Sequence, residues 1–159
     1  MVRIREFEGR VYVPGPVPDG DVVVPIGVAD VKRPGRDVTV IATGWMVQRS
    51  LEAADLLARE EIDVEVVDPR SLAPLDVDTL VASVEKTRQV VLVDQAPRHA
   101  SAAALIAAEI AERAYAALAA PPRLVTALDT SVPYSKPLED AVIPSVERIV
   151  QAVREVVQA

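Results

Sequence analysis

There is no cysteine among the 159 residues. That removes disulfide scaffolds, thiolate zinc sites and cysteine nucleophiles together. Histidine occurs once, at His99, so a multi-histidine metal site is excluded within the chain. Aromatic residues make up 3% of the sequence while half of it is hydrophobic, so the core must be aliphatic and alanine-rich. Glycine is scarce and one-sided, with all six at or before Gly44. No glycine-rich loop can therefore follow the later strands. "ATGWMV" offers one glycine rather than GxGxxG or GxxxxGKS/T, whose glycines bring backbone N–H groups against phosphates. This argues against nucleotide-phosphate binding of that type. Basic residues are outnumbered, 17 Lys and Arg against 24 Asp and Glu, for a net charge of −7. A sequence-independent nucleic-acid binder needs the opposite balance. No apolar run approaches the roughly 20 residues that span a bilayer. "MVRIREFEGR" is too charged for a signal peptide. The expectation is a cytoplasmic protein that meets neither nucleic acid nor membrane.

What is present is alternation. Residues 1–25 stand apart: "RVYVPGPVPDGDVVVP" places four prolines and two glycines among short β-type pieces, which reads as an extended arm or linker. From residue 26 to 159 one domain follows. "IGVADVKR" suits an edge strand and "RPGRD" a turn. "DVTVIATG" is a near-continuous apolar run that suits a strand buried on both faces. "MVQRSLEAADLLAREE" sets Val47, Leu51, Ala54 and Ala58 at helical spacing. "IDVEVVD" is a second strand, and Asp76 can cap a helix whose Leu80, Val81 and Val84 face one way. "QVVLVD" is a third. Ser101 is expected to open a long helix to residue 120, with twelve alanines between 100 and 120. "RLVTALD" is a further strand, and "TSVPYSKPLEDAVIP" an excursion with one helical turn. The last helix carries Val146, Ile149, Val150, Val153 and Val157 on one stripe. The pattern predicts a three-layer α/β fold. Its open sheet is mostly parallel with an antiparallel edge strand, and helices cover both faces. Ligands of such sheets bind beyond the carboxyl ends of the strands, so the loops after Gly44, Asp68, Asp94 and Asp129 are the ones to inspect.

Each candidate residue there has two readings. Asp68 and Arg70 straddle Pro69 just past a strand, as a charged substrate clamp or as an ion pair or capping contact that fixes a corner. Structural ion pairs commonly mimic sites, so the corner is preferred. Arg98, His99 and Ser101 lie where a helix begins, and its free N–H groups could hold an anion or form an interface loop. Lacking a titratable partner of known geometry, His99 reads first as a surface residue. Tyr134 sits in a proline-rich stretch, where a tyrosine more often pins a loop than performs catalysis.

Several stretches, in order, resemble one family. "VPIGVADVKRPGRDVTVIATGWMVQRSLEAADLL" resembles the opening of the C-terminal, transketolase-type domain in beta subunits of thiamine-diphosphate-dependent 2-oxo acid dehydrogenases. "IDVEVVDPRSLAPLDVDTLVASVEKT" matches that family's D-L-R-S/T-L-x-P-L-D corner, and "VVLVDQAPRHASAAALIAAEIAE" its next strand and helix. "LVTALDTSVPYSKPLEDAVIPSVERIVQAV" resembles its closing segment. The likeness runs from about Val24 onward. Where pyruvate and branched-chain members commonly have His-Glu-Ala-Pro-Arg-Thr-Gly-Gly, this chain has Asp94-Gln95-Ala96-Pro97-Arg98-His99-Ala100-Ser101, closer to the acetoin type.

In that family a pyrimidine-binding domain precedes this one and supplies the catalytic histidine, and the alpha subunit binds the diphosphate and magnesium. The resemblance therefore implies no catalytic, cofactor-binding or metal residue on this chain, with thiamine diphosphate and magnesium belonging to the intact enzyme. It implies an assembly role beside an alpha subunit and a second beta subunit in a heterotetramer. It also implies docking to the subunit-binding domain of the lipoyl acyltransferase, and it leaves a homodimer open for the isolated chain. "VRIREFEGRVYVPGPVP" resembles the tail leaving the missing domain, so an excised domain and one piece of a split transketolase-like enzyme are both open. Two other readings remain: a regulatory or anion-binding domain using Arg98 and His99, and a small enzyme in which Asp68, Arg70 and His99 converge.

Overall fold

The structure is a computed structural model that describes residues 5–7, 10–12, 19–21 and 23–158. Most of the expected arm lies outside these residues. Within it, the backbone of β1 (Arg5–Phe7) pairs antiparallel with β2 (Arg10–Tyr12).

The domain is built on a five-stranded sheet of β3 (Asp30–Arg33), β4 (Val38–Ala42), β5 (Val64–Asp68), β6 (Val90–Pro97) and β7 (Arg123–Ala127). Their order is β3-β5-β4-β6-β7, with β3 antiparallel to β5 and every other pair parallel. This is the expected mostly parallel sheet with an antiparallel edge. Period-two alternation divides its side chains between two apolar layers. Val38, Val40 and Ala42 of β4 join Val64, Val66, Val91, Val93 and Val125 on one face. Two helices cover that face, α1 (Trp45–Leu57) through Met46, Val47, Ala53, Ala54 and Leu57, and α5 (Val146–Val157) through Ile149, Val150, Val153 and Val156. Ile41, Val67, Val90 and Leu92 point the other way. There they meet Leu80 and Val84 of α2 (Val77–Thr87) and Ala103, Ile106 and Ile110 of α3 (Ala102–Arg113).

Three local readings differ from the fold. Helix α1 ends at Leu57 in a 3-10 turn, which leaves Ala58 exposed rather than on the buried stripe. Helix α3 stops at Arg113 instead of running to residue 120. Ala114 leaves helical geometry at φ −119°, a 3-10 turn follows over Tyr115–Ala117, and the Ala119 N–H donates to the Arg88 carbonyl at 2.8 Å. Alanine propensity alone thus yields to a tertiary bond and to Pro121 and Pro122, which cannot continue a helix. The excursion after β7 forms α4 (Lys136–Val142), seven residues rather than one turn, opened by Pro137 in its first turn.

Helix α2 shows how one residue can fasten two segments. Asp76 accepts the Thr79 N–H at 3.2 Å and the Thr79 hydroxyl at 2.8 Å, and also the N–H of Ala29 at 2.9 Å from the segment leading into β3. The Ala29 amide, then Thr79, hold its carboxyl below the ordinary aspartate value. A depressed carboxylate contributes stability that is present above its unfolded pKa and lost as pH falls through the folded value. Asp76→Ala should therefore cost about 1–2 kcal/mol at pH 7. In urea titrations its deficit against wild type should shrink as the pH is taken below about 4. A deficit independent of pH would show that the carboxylate charge is not what Asp76 contributes.

Candidate functional site

The chain leaves β4 for β5 on one side and returns through α2 to β6 on the other. The crevice beyond the carboxyl ends of β4 and β6 is therefore the topological switch point, where open α/β sheets place ligands. The residues beyond these ends are largely engaged with one another.

Asp94, at the end of the apolar run of β6, is buried. Its Oδ1 accepts the Ala96 N–H at 3.1 Å, and its Oδ2 accepts the Ser101 hydroxyl at 2.7 Å and the Ala103 N–H at 3.4 Å. Ser101 Oγ in turn accepts the Ala103 N–H at 3.0 Å as the cap of α3. The N-terminus of α3 is thus occupied by the protein's own carboxylate and hydroxyl. Arg98 and His99 stand outside this network on the surface, and His99 Nδ1 lies 3.1 Å from Asp129 Oδ2, both side chains mostly exposed. That pair links the loops after β6 and β7.

Asp68 and Arg70 are on the opposite flank. The backbone N–H of Arg70, held at φ 58°, donates to Asp68 Oδ1 at 2.9 Å. Its guanidinium turns away to Asp30 Oδ2 at 2.7 Å, on the edge strand whose Asp30 is the register partner of Asp68. Lys32 lies 2.6 Å from Asp30 and 4.0 Å from Asp68. Lys32, then Arg70, hold the Asp30 carboxyl below its ordinary value. Arg70 is paired, with its side chain 29% exposed, and its partner is Asp30 rather than Asp68. Asp68 and Arg70 face β3, whereas His99 faces the loop after β7, with β4 lying between β5 and β6. The three do not converge.

Sequence reasoning did not single out the groove formed chiefly between α1 and α4. It is about 330 Å³ and lined by Trp45, Arg49, Gln95, Lys136, Asp140 and Ile143 among others. A second hollow of about 380 Å³ adjoins it through Trp45, Arg49, Lys136 and Asp140. Arg49 donates to the Pro144 carbonyl and lies 3.8 Å from Asp140, which also pairs with Lys136. The only tryptophan, placed directly after Gly44, was the signal that could have found it. In the groove itself Arg49 and Lys136 are balanced by Glu139 and Asp140, which suits a packing surface.

A diphosphate–magnesium cradle does not fit these residues. Asp68, Asp94 and Asp129 are engaged with Arg70, Ser101 and His99 respectively. Among the described residues no group of three or more His, Cys, Asp and Glu could hold a metal ion, and no helix is long and apolar enough to cross a membrane.

Comparison with known proteins identifies the domain. Residues 27–149 match the family model of the transketolase C-terminal domain. The beta subunit of acetoin:2,6-dichlorophenolindophenol oxidoreductase from Cupriavidus necator is 45% identical over 141 residues, which are 89% of this chain and 42% of that protein. The beta subunit of the pyruvate dehydrogenase E1 component from Bacillus subtilis is 42% identical over 142 residues, 89% of this chain and 43% of that protein. A solved split-gene transketolase, an inactive beta4 tetramer, superposes with a TM-score of 0.75 at 28% identity, covering 86% of this chain and 44% of that one. The chain spans about two fifths of the length of the curated relatives it matches. With the whole five-stranded sheet and the corner at residues 68–76 inside the matched region, the chain belongs to the transketolase C-terminal domain family.

Proposed function

We propose that this chain is the C-terminal assembly domain of the beta subunit of a thiamine-diphosphate-dependent 2-oxo acid or acetoin dehydrogenase. Decarboxylation is then carried by other domains. The observation that supports this reading is its 41–45% identity, over 85–89% of its length, to beta subunits of acetoin and pyruvate dehydrogenases. The geometry agrees, because Asp94, Ser101, Asp68 and Arg70 are engaged in holding loops and caps. In this reading the domain works in the cytoplasm. It contributes packing surface toward an alpha subunit and a second beta subunit, and a docking surface toward the subunit-binding domain of a lipoyl acyltransferase. Thiamine diphosphate and magnesium are held elsewhere in the assembly.

Calorimetric titration of this chain with thiamine diphosphate and magnesium should give no binding heat. Joined in frame behind the upstream part of the Cupriavidus necator beta subunit and mixed with the matching alpha subunit, the chain should restore acetoin-dependent dye reduction. Tight thiamine diphosphate binding by the chain alone would overturn the assembly reading, as would a correctly folded hybrid without activity.

A further inference from the structure

The chain has three lysines, Lys32, Lys86 and Lys136, and each is paired with a carboxylate. Two of these pairs are shared. Asp30, the partner of Lys32, also holds Arg70, and Asp140, the partner of Lys136, also lies 3.8 Å from Arg49. Loss of charge on either lysine leaves its carboxylate a second cation. Lys86 has no such substitute. Among the described residues it is the one cation that meets Glu65.

The two ends of this pair sit in different surroundings. The Glu65 side chain is 1% exposed and the Lys86 side chain 46%. A reagent dissolved in water can therefore approach the lysine while the glutamate stays buried. The hydroxyl of Thr39, on the register partner of Glu65, is committed elsewhere. It lies 2.7 Å from the Thr87 hydroxyl and donates to the Ser83 carbonyl at 3.1 Å. Lys86 also stands in the last turn of α2, where a positive charge is favoured by the helix C-terminus. Neutralising this one side chain removes both interactions. No thiol competes for an acyl donor, because the sequence has no cysteine.

We propose that Lys86 is an acylation site whose donor is an acyl thioester, and that its acylation lowers the stability of the domain through Glu65. In the reaction the ammonium gives one proton to Glu65 Oε2, which it already touches. The freed lone pair attacks the thioester carbonyl carbon. A C–N bond forms, the C–S bond breaks, and the thiolate leaves with a second proton from the nitrogen. The products are a neutral amide, a free thiol and a buried carboxyl with no counter-charge. Lysine acylation thereby removes the charge on which the pair depends.

The test incubates the folded chain with acetyl-CoA and locates the acetyl groups by peptide mass spectrometry. Lys86 should be modified, and the chain modified there should melt about 5 °C or more below the untreated chain. Lys86→Arg keeps the charge and offers no amine that a thioester acylates at neutral pH. On the same treatment its Tm should hold within about 1 °C, although Lys32 and Lys136 are still open to the reagent. In Glu65→Gln, and in Glu65→Leu as a second background, acetylation of Lys86 should leave Tm unchanged, because no buried carboxyl remains to be stranded. Acetyl groups on Lys32 and Lys136 but not on Lys86 would overturn the proposal. So would a chain acetylated at Lys86 that melts with the untreated one. An equal fall in Lys86→Arg or in the Glu65 variants would overturn it as well, since the loss would then arise at other amines or without the carboxyl.

Discussion

Replacing Lys86 by methionine is expected to lower stability by about 3 kcal/mol or more, because the change strands a carboxylate inside the domain. Glu65 lies in the middle of β5 and is 1% exposed. Its neighbours Val64 and Val66 face α1 and α5, so alternation turns Glu65 toward α2. There Oε2 is met by the ammonium of Lys86, in the last turn of α2, while Oε1 has no hydrogen-bond partner among the described residues. Thr39, the register partner of Glu65 on β4, extends the polar seam. Its hydroxyl lies 2.7 Å from that of Thr87 and donates to the Ser83 carbonyl at 3.1 Å. Lys86 itself is half in water. The solvated cation is therefore the cheap partner and the buried anion the costly one.

The expected consequence is asymmetric. Lys86→Met alone leaves the buried Glu65 carboxyl without its counter-charge, and for a domain of this size the Tm should fall by about 6–12 °C. Glu65→Leu alone removes the buried charge and frees a surface lysine, so its loss should be much smaller. The double variant should recover most of the loss, since well-packed apolar residues replace buried pairs at little cost. Thermal melts of the three variants give the coupling directly. If Lys86→Met and Glu65→Leu cost the same, the stranded carboxylate is not the source of the effect.

Neither half of this pair stood out in the sequence. "VEVVD" reads as a strand whichever way Glu65 points, and only the order of strands shows that β5 lies inside the sheet. The strands themselves were legible, because Val38 to Ala42, broken only by Thr39, and Val90 to Val93 are near-continuous apolar runs, as buried parallel strands require. Asp76 and Ser101 were legible as caps, since the reach from cap side chain to helix amide is local. The partners of Arg70 and His99 were not. Arg70 meets Asp30 through the antiparallel register of β3 with β5, and His99 meets Asp129 across two strand ends, pairings of 40 and 30 residues in separation that no local pattern encodes. The groove at Trp45 was hidden for the same reason, being assembled from α1, α4 and the start of α5.

Strand order also makes Gly35 the most constrained glycine of the domain. β3 and β4 are consecutive in the chain, yet β5 is inserted between them in the sheet. Their connection, residues 34–37, must therefore cross the end of β5 at close range. The crossing is fixed by backbone hydrogen bonds from Arg36 and Asp37 to the Asp63 carbonyl at 3.1 and 3.0 Å, and by the Asp63 N–H donating to Asp37 Oδ2 at 2.7 Å. A Cβ on Gly35 would sit 2.2 Å from the Glu65 nitrogen and 2.3 Å from the Val64 carbonyl carbon. These are backbone atoms of a strand hydrogen-bonded on both sides, so they cannot swing aside as the end of a side chain can. Relief would require moving β5 or breaking the crossing bonds. Gly35→Ala should accordingly cost about 3 kcal/mol or more, at the upper end for overpacking by a single methyl group. Gly20→Ala, where an added Cβ meets nothing within 4 Å but φ is 94°, is the contrasting case, with strain and no collision. Urea titration of both variants separates the two causes. A Gly35→Ala protein as stable as wild type would mean that the β3–β4 connection passes β5 at a greater distance than the fold requires.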